Sequence, residues 1–64
     1  MEELQLELVE QLQDSLQELS ESMEEVSNLM QEVDNEEIKE KAFELLKASR
    51  TIVSWRFDVR KIYE

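Results

Sequence analysis

The segment MQEVDNEEI, residues 30–38, decides the fold, because the hydrophobic pattern of the chain changes phase within it. One row of apolar side chains recurs every seven residues before this segment, and another recurs after it. The rows are Val9, Leu16, Met23 and Met30, then Ile38, Leu45, Ile52 and Val59. Continuing the first repeat through the segment would bury Glu37, Glu40 and Glu44, where three carboxylates would be very costly. The chain is therefore expected to break near residue 34.

The residues at the break favour the start of a second helix. Asp34 is a good N-cap, and Glu37 stands three residues later, where the acidic member of a capping box belongs. If the chain reverses here, Val9 lies opposite Val59 and Met30 lies opposite Ile38, because the numbers of each pair sum to 68.

This alignment predicts an all-α, coiled-coil-like antiparallel hairpin in a single domain, 1–64. The first helix is expected over about 3–33, the turn near 34–35 and the second helix over about 35–63. The chain contains no Gly to form the turn, so a single long helix with a phase slip is the alternative.

Each apolar row has an expected companion three residues further along its helix, which would complete a buried seam. The companions are Leu12, Leu19, Val26 and Val33 in the first helix, and Lys41, Ala48, Trp55 and Ile62 in the second. In this interpretation Leu12 meets Trp55 and Leu19 meets Ala48 between the helices.

The apolar arc of the second helix is too wide for one partner helix to cover. A stripe beside the seam needs another surface, which predicts either dimerisation of two hairpins into a four-helix bundle or docking on a different protein. The predicted partner-binding residues are Phe43, Leu46, Arg50, Val53, Trp55, Arg56 and Phe57. For Arg56 we expect an internal ion pair with Glu10 or Asp14; the alternative is an interface hot spot formed with Trp55 and Phe57.

Composition excludes several classes of function. The 64 residues include no Cys and no His, so a disulfide framework, a thiolate zinc site and a histidine general base are all absent. The formal charge of -10 disfavours direct binding to nucleic acid or to anionic membranes. We expect a cytoplasmic protein without a cofactor, a metal, a small-molecule substrate or enzymatic activity.

Charge is divided unevenly between the helices. Residues 1–34 contain eleven acidic residues and no basic one, whereas the second helix carries all seven bases. The acidic face is expected to be solvated, and the alternative is a rail of carboxylates that imitates nucleic-acid phosphates.

Two resemblances bear on function. The segment Ser54–Asp58, SWRFD, resembles the Ser-x-x-x-Asp signature of the small two-helix phosphatases that act on sporulation response regulators, which would imply a functional role for Asp58. It departs from that family at Phe57, where the family usually has Leu. In length and turn position the chain also resembles the plasmid-encoded helical-hairpin dimers that bind RNA, but its first helix lacks their basic face.

The function expected from the sequence is protein binding by helix packing and self-association, as a small regulator, adaptor or co-chaperone. The alternatives are an acidic inhibitor that mimics nucleic acid, and a phosphatase-like regulator of a response regulator.

Overall fold

The chain reverses once, between two long helices. A computed structural model describes residues 2–64 and, from residue 3 onward, their side chains. Helix α1 spans Glu2–Glu32 and helix α2 spans Glu36–Tyr63. The helices pack against each other along their length, and the Cα atoms extend over 52 × 15 × 10 Å. The prediction of an all-α helical hairpin is confirmed, and the alternative of a single long helix is wrong.

The turn is made without glycine. The amide of Asn35 donates to the carbonyl oxygen of Val33 at 2.9 Å, and no described residue has a positive φ. Asn35 has extended backbone (φ -156, ψ 122), and its side chain accepts a hydrogen bond from the amide of Ile38. The predicted N-cap at Asp34 is therefore wrong by one residue, because Asn35 is the residue with the extended conformation that an N-cap requires.

Contacts between the helices set their register. Ser27 Oγ donates to the carbonyl oxygen of Ala42 at 2.7 Å, and Gln13 Nε2 donates to the carbonyl oxygen of Arg56 at 2.9 Å. Both pairs of residue numbers sum to 69, one more than the sum of 68 predicted from the heptads. The reversal is thus centred close to residue 34, as expected.

The most buried residues of the described chain are small. Ser20, Ser27, Ala42 and Ser49 are buried almost completely, and in the observed register they pair as Ser20 with Ser49 and Ser27 with Ala42. Small side chains let two helices approach closely. The Ser20 and Ser49 hydroxyls donate to carbonyl oxygens of their own helices at 2.8 and 2.7 Å, so each is buried with its hydrogen bond made.

These residues correct the predicted seam. The first apolar rows, at Val9 and Ile38 and every seventh residue after each, are partly buried as expected. Their predicted companions are exposed: Leu12, Leu19, Val26 and Val33 expose between 45% and 47% of their surface, and Trp55 exposes 50%. The true companions lie four residues after each first-row residue rather than three, at Gln13, Ser20 and Ser27 in α1 and at Ala42, Ser49 and Arg56 in α2.

Candidate protein-interaction surfaces

The misassigned rows lie together on one side of the hairpin. At about 100° per residue, the row of Leu19 and the row of Trp55 each lie about 80° from the centre of the seam, in the same rotational sense. In two antiparallel packed helices, positions with the same offset face the same side. We call this surface the front face. It consists of Leu8, Leu12, Leu19, Val26 and Leu29 on α1, of Val33 directly after α1, and of Ala48, Trp55 and Ile62 on α2, all of them exposed.

The α1 half of the front face carries no charge. The two heptad rows that form it contain Gln5, Leu8, Leu12, Ser15, Leu19, Ser22, Val26, Leu29 and Val33. Every acidic residue from Glu3 to Glu32 falls in another row. On α2 the front row includes Lys41, and the neighbouring outer row includes Glu37, Glu44 and Asp58. A contiguous apolar surface of this extent is typical of an interaction site.

A second apolar surface lies on α2, on the other side of the seam from Trp55. We call it the side strip, and it consists of Phe43, Leu46, Arg50, Val53 and Phe57. Leu46 and Val53 are partly buried against α1, whereas Phe43 exposes 55% and Phe57 63%. The 3-4 spacing of these residues makes one stripe along the helix.

Charged side chains of both signs border the side strip. Arg50 lies within it, is exposed and makes no ion pair with another described residue. The adjoining helical positions hold four bases, Lys39, Lys47, Arg60 and Lys61, and three acids, Glu36, Glu40 and Glu64. Arg60 Nη1 reaches Glu10 Oε1 of α1 at 3.9 Å, and both groups are well exposed, so the pair contributes little.

Arg56 lies in the seam without a carboxylate partner. Its Nη1 donates to Gln17 Oε1 at 3.0 Å, and its Nε is buried with no hydrogen-bond partner. The predicted ion pair with Glu10 or Asp14 is wrong. In the observed register Glu10 lies beside Arg60, and Gln13 and Gln17 lie opposite Arg56. The guanidinium carbon lies 5.7 Å from the centre of the Phe57 ring, within cation–π range.

The structure therefore divides the seven predicted site residues among three places. Five form the side strip, Trp55 lies on the front face, and Arg56 lies between the helices. Sequence reasoning missed this part of the front face because it assigned Leu12, Leu19, Val26 and Val33 to the core. The sequence signal that could have revealed them is the row of Ser20 and Ser27. These small residues lie four positions after Leu16 and Met23, and they can occupy the seam in place of Leu19 and Val26.

Acidic side chains and one depression near the turn are further features of the described residues. No group of three or more acidic residues is arranged to hold a metal ion among them. A shallow depression of about 360 Å³ near the turn is lined by Met30, Asn35, Glu37, Ile38 and Lys41. Asp58 is exposed on α2.

Within residues 2–64, no helix has the length and apolar content needed to cross a membrane.

Comparison with known proteins assigns no function to either surface. No protein-family model, no curated protein and no solved structure matches the chain. The resemblance of Ser54–Asp58 to the sporulation phosphatases therefore stands on those five residues alone.

Proposed function

We propose that this chain is a protein-interaction module that acts by helix packing. The observation that carries the proposal is an inversion of the usual distribution of side chains. Among the described residues the only fully buried hydrophobic side chain is Ala42, while twelve large hydrophobic residues are exposed. A hairpin that buries serines and exposes leucines has apolar surface to offer to other helices.

Association also accounts for stability. A 64-residue chain has a marginal core even when it is well packed. Each front-face Leu or Val that goes from half exposed to fully buried would contribute about 1 kcal/mol. Self-association of two hairpins into a four-helix bundle through the front face is part of the proposal, because it covers the larger surface with no further component.

The side strip then remains available for a different partner. Its apolar stripe, with Arg50 inside it and lysines beside it, suits an amphipathic helix that presents acidic residues next to its apolar face. We therefore propose an adaptor with two surfaces, one for a second copy and one for an acidic helix of another protein.

The experiment that tests this proposal is affinity capture from the native host with matched variants. In the double variant F43E/F57E the two exposed rings of the side strip are replaced by carboxylates, and in the control T51E/S54E the same charge is added at exposed positions of the same helix. A partner retained by the wild type and the control but lost by F43E/F57E supports the proposal. It should then bind the purified protein directly, through an acidic helical segment.

The opposite result is equally informative. If capture is insensitive to F43E/F57E and is instead lost on charge reversal at Glu7, Asp14 and Glu21, the acidic face of α1 is the binding surface. Binding of that kind would fall steeply as salt is added, because it depends on exposed charges.

A further inference from the structure

We infer that the front face binds a second copy of the chain in antiparallel orientation, about a two-fold axis at the level of Leu19 and Ala48. This inference rests on the proposed function, since it defines the partner of one of the two surfaces. In the arrangement α1 lies against α1 of the second copy, and α2 lies against α2. The turn of each hairpin then lies over the open end of the other.

The first argument is the symmetry of α1. Read in either direction from Leu19, three pairs of exposed positions in the two uncharged rows have matching side-chain sizes, whereas the outermost pair, Gln5 with Val33, does not. The matched pairs are Leu8 with Leu29, Leu12 with Val26, and Ser15 with Ser22. A two-fold axis beside Leu19 brings each residue onto its match in the second copy, so large side chains meet large ones and small meet small. This is the self-complementarity that an isologous interface requires.

The second argument is that α2 shares the same axis. Leu19 and Ala48 directly precede Ser20 and Ser49, which are paired in the seam, so they lie within about 3 Å of the same height along the hairpin. Ala48 is the smallest residue of the front row of α2, and it lets the two α2 helices approach where they cross the axis.

The same axis matches Trp55 with Lys41. Trp55 follows Ala48 by seven residues and Lys41 precedes it by seven, so each indole lies over Lys41 of the second copy. A lysine offers a Trp ring both an aliphatic stem and a cation–π contact. The present partner of Lys41 is Glu44 at 3.2 Å, and both groups are about two-thirds exposed, so this pair does little to hold the lysine in place.

The third argument comes from the alternative orientation. With both turns at the same end, α1 of one copy would lie against α2 of the other. Leu8 would then face Asp58, and at the other end Leu29 would face Glu37. Each contact would desolvate a carboxylate against a leucine. The antiparallel dimer replaces both with Leu8 against Leu29. It also matches Glu37 with Asp58 of the second copy, at the exposed outer edge of α2, where water and salt screen the two carboxylates.

The size of the surface is sufficient. The Cα extents of 52 and 15 Å give the face an area of roughly 800 Å², which is about what each partner buries in a standard protein–protein interface.

Association is tested by measuring mass. In sedimentation equilibrium the wild type is expected at twice the 7.7 kDa mass of one chain. L19E places two carboxylates together on the two-fold axis, which should raise the dimer dissociation constant at least about 100-fold. The matched control Q11E adds the same charge at an exposed position of α1 away from the front face and should leave the dimer unchanged.

Orientation is tested with introduced cysteines, because the chain has none of its own. Oxidising a mixture of L12C and V26C chains should give the mixed disulfide. Two L12C chains should not cross-link to each other, because the axis separates these positions by 14 residues, about 20 Å along the helix. Q11C in place of L12C should give no mixed product, since Gln11 lies outside the face.

In sedimentation, a monomeric wild type or an L19E variant that remains dimeric would overturn the inference. In cross-linking, a disulfide between two L12C chains in place of the mixed L12C–V26C product would also overturn it. If L19E also unfolds the chain, the cross-link pattern in the folded protein still decides. A monomer that loses its partner only in F43E/F57E would refute the two-fold dimer while leaving the side-strip function intact. A two-fold dimer with no partner sensitive to F43E/F57E would refute the adaptor proposal alone.

Discussion

Replacing Arg56 with methionine is expected to leave the free energy of unfolding unchanged or to raise it by up to about 1 kcal/mol. The buried Nε has no acceptor, and leaving such a donor unsatisfied costs about 1–3 kcal/mol. Methionine removes that donor and the partly desolvated charge, and it keeps a flexible apolar side chain of similar length in the seam. Replacing a buried charge by an apolar residue is commonly neutral or stabilising, by up to about 4 kcal/mol.

Two losses act in the other direction. The hydrogen bond from Arg56 Nη1 to Gln17 disappears, and a partly exposed bond of this kind is worth about 1 kcal/mol. The contact with the Phe57 ring is worth about 0.5–1 kcal/mol at an exposed site. Gln17 is itself only partly buried, so its amide can turn to water. Set against the gain of about 1–3 kcal/mol, these losses of about 1.5–2 kcal/mol leave the free energy of unfolding unchanged or raised by up to about 1 kcal/mol, equivalent to at most about 4–8 °C in Tm for a chain of this size.

The assay is urea denaturation followed by circular dichroism at 222 nm, at one fixed protein concentration because dimerisation would shift the midpoint. R60M is the matched control. Arg60 also neighbours the seam, but its ion pairs with Glu10 and Glu64 are solvent-exposed, so the free energy of unfolding should change by less than about 0.5 kcal/mol. If R56M is less stable than R60M by more than about 1 kcal/mol, Arg56 has a stabilising partner and our description of the seam is wrong.

Three further substitutions test the turn, the seam and the front face. N35A should lower the free energy of unfolding by about 1 kcal/mol in the same assay, because it removes the cap on the amide of Ile38, whereas D34A should have little effect. S27L should destabilise by about 1–3 kcal/mol, since a leucine cannot fit where Ser27 meets the Ala42 carbonyl. S27A, which loses only the two hydrogen bonds of the hydroxyl, to Ala42 and from Gln31, should be milder. W55A should weaken the dimer in sedimentation, and in the wild type dilution should shift the fluorescence of Trp55, the only tryptophan, to longer wavelength as the ring is exposed.

The sequence predicted the helices and their register because acidic residues limit how far the first apolar row can continue along the chain. Placing Glu37 in the core is so costly that the repeat through Met30 has to stop, and the next repeat fixes the reversal to within a residue. The N-cap was displaced by one position because Asp34 and Asn35 have similar capping preferences. Only the backbone conformation, extended at Asn35, separates them.

The companion row could not be chosen by the same reasoning. Residues three and four positions from a seam residue flank it on either side, so a row such as Leu16 can be completed by Leu19 or by Ser20. Counting apolar residues selects Leu19. The structure selects Ser20, because a serine whose hydroxyl bonds to its own helix, here to the carbonyl of Gln17, behaves as a small residue. Arg56 was misjudged for a related reason, since the chosen row puts glutamines opposite it.

The distribution of charge is a better guide to the interaction surface than hydrophobicity alone. If α1 existed only to form the hairpin, the rows of Leu12 and Leu8 would be solvent-facing, and a chain with a net charge of -10 would be expected to place acids there. Nine consecutive positions of these rows from Gln5 to Val33 carry none, while the remaining exposed rows of α1 carry all the acids from Glu3 to Glu32. Helix formation does not require that separation, since glutamate and leucine have similar helix propensities. A requirement to bury this side of α1 against something apolar explains it, and a second α1 with the same uncharged rows meets that requirement.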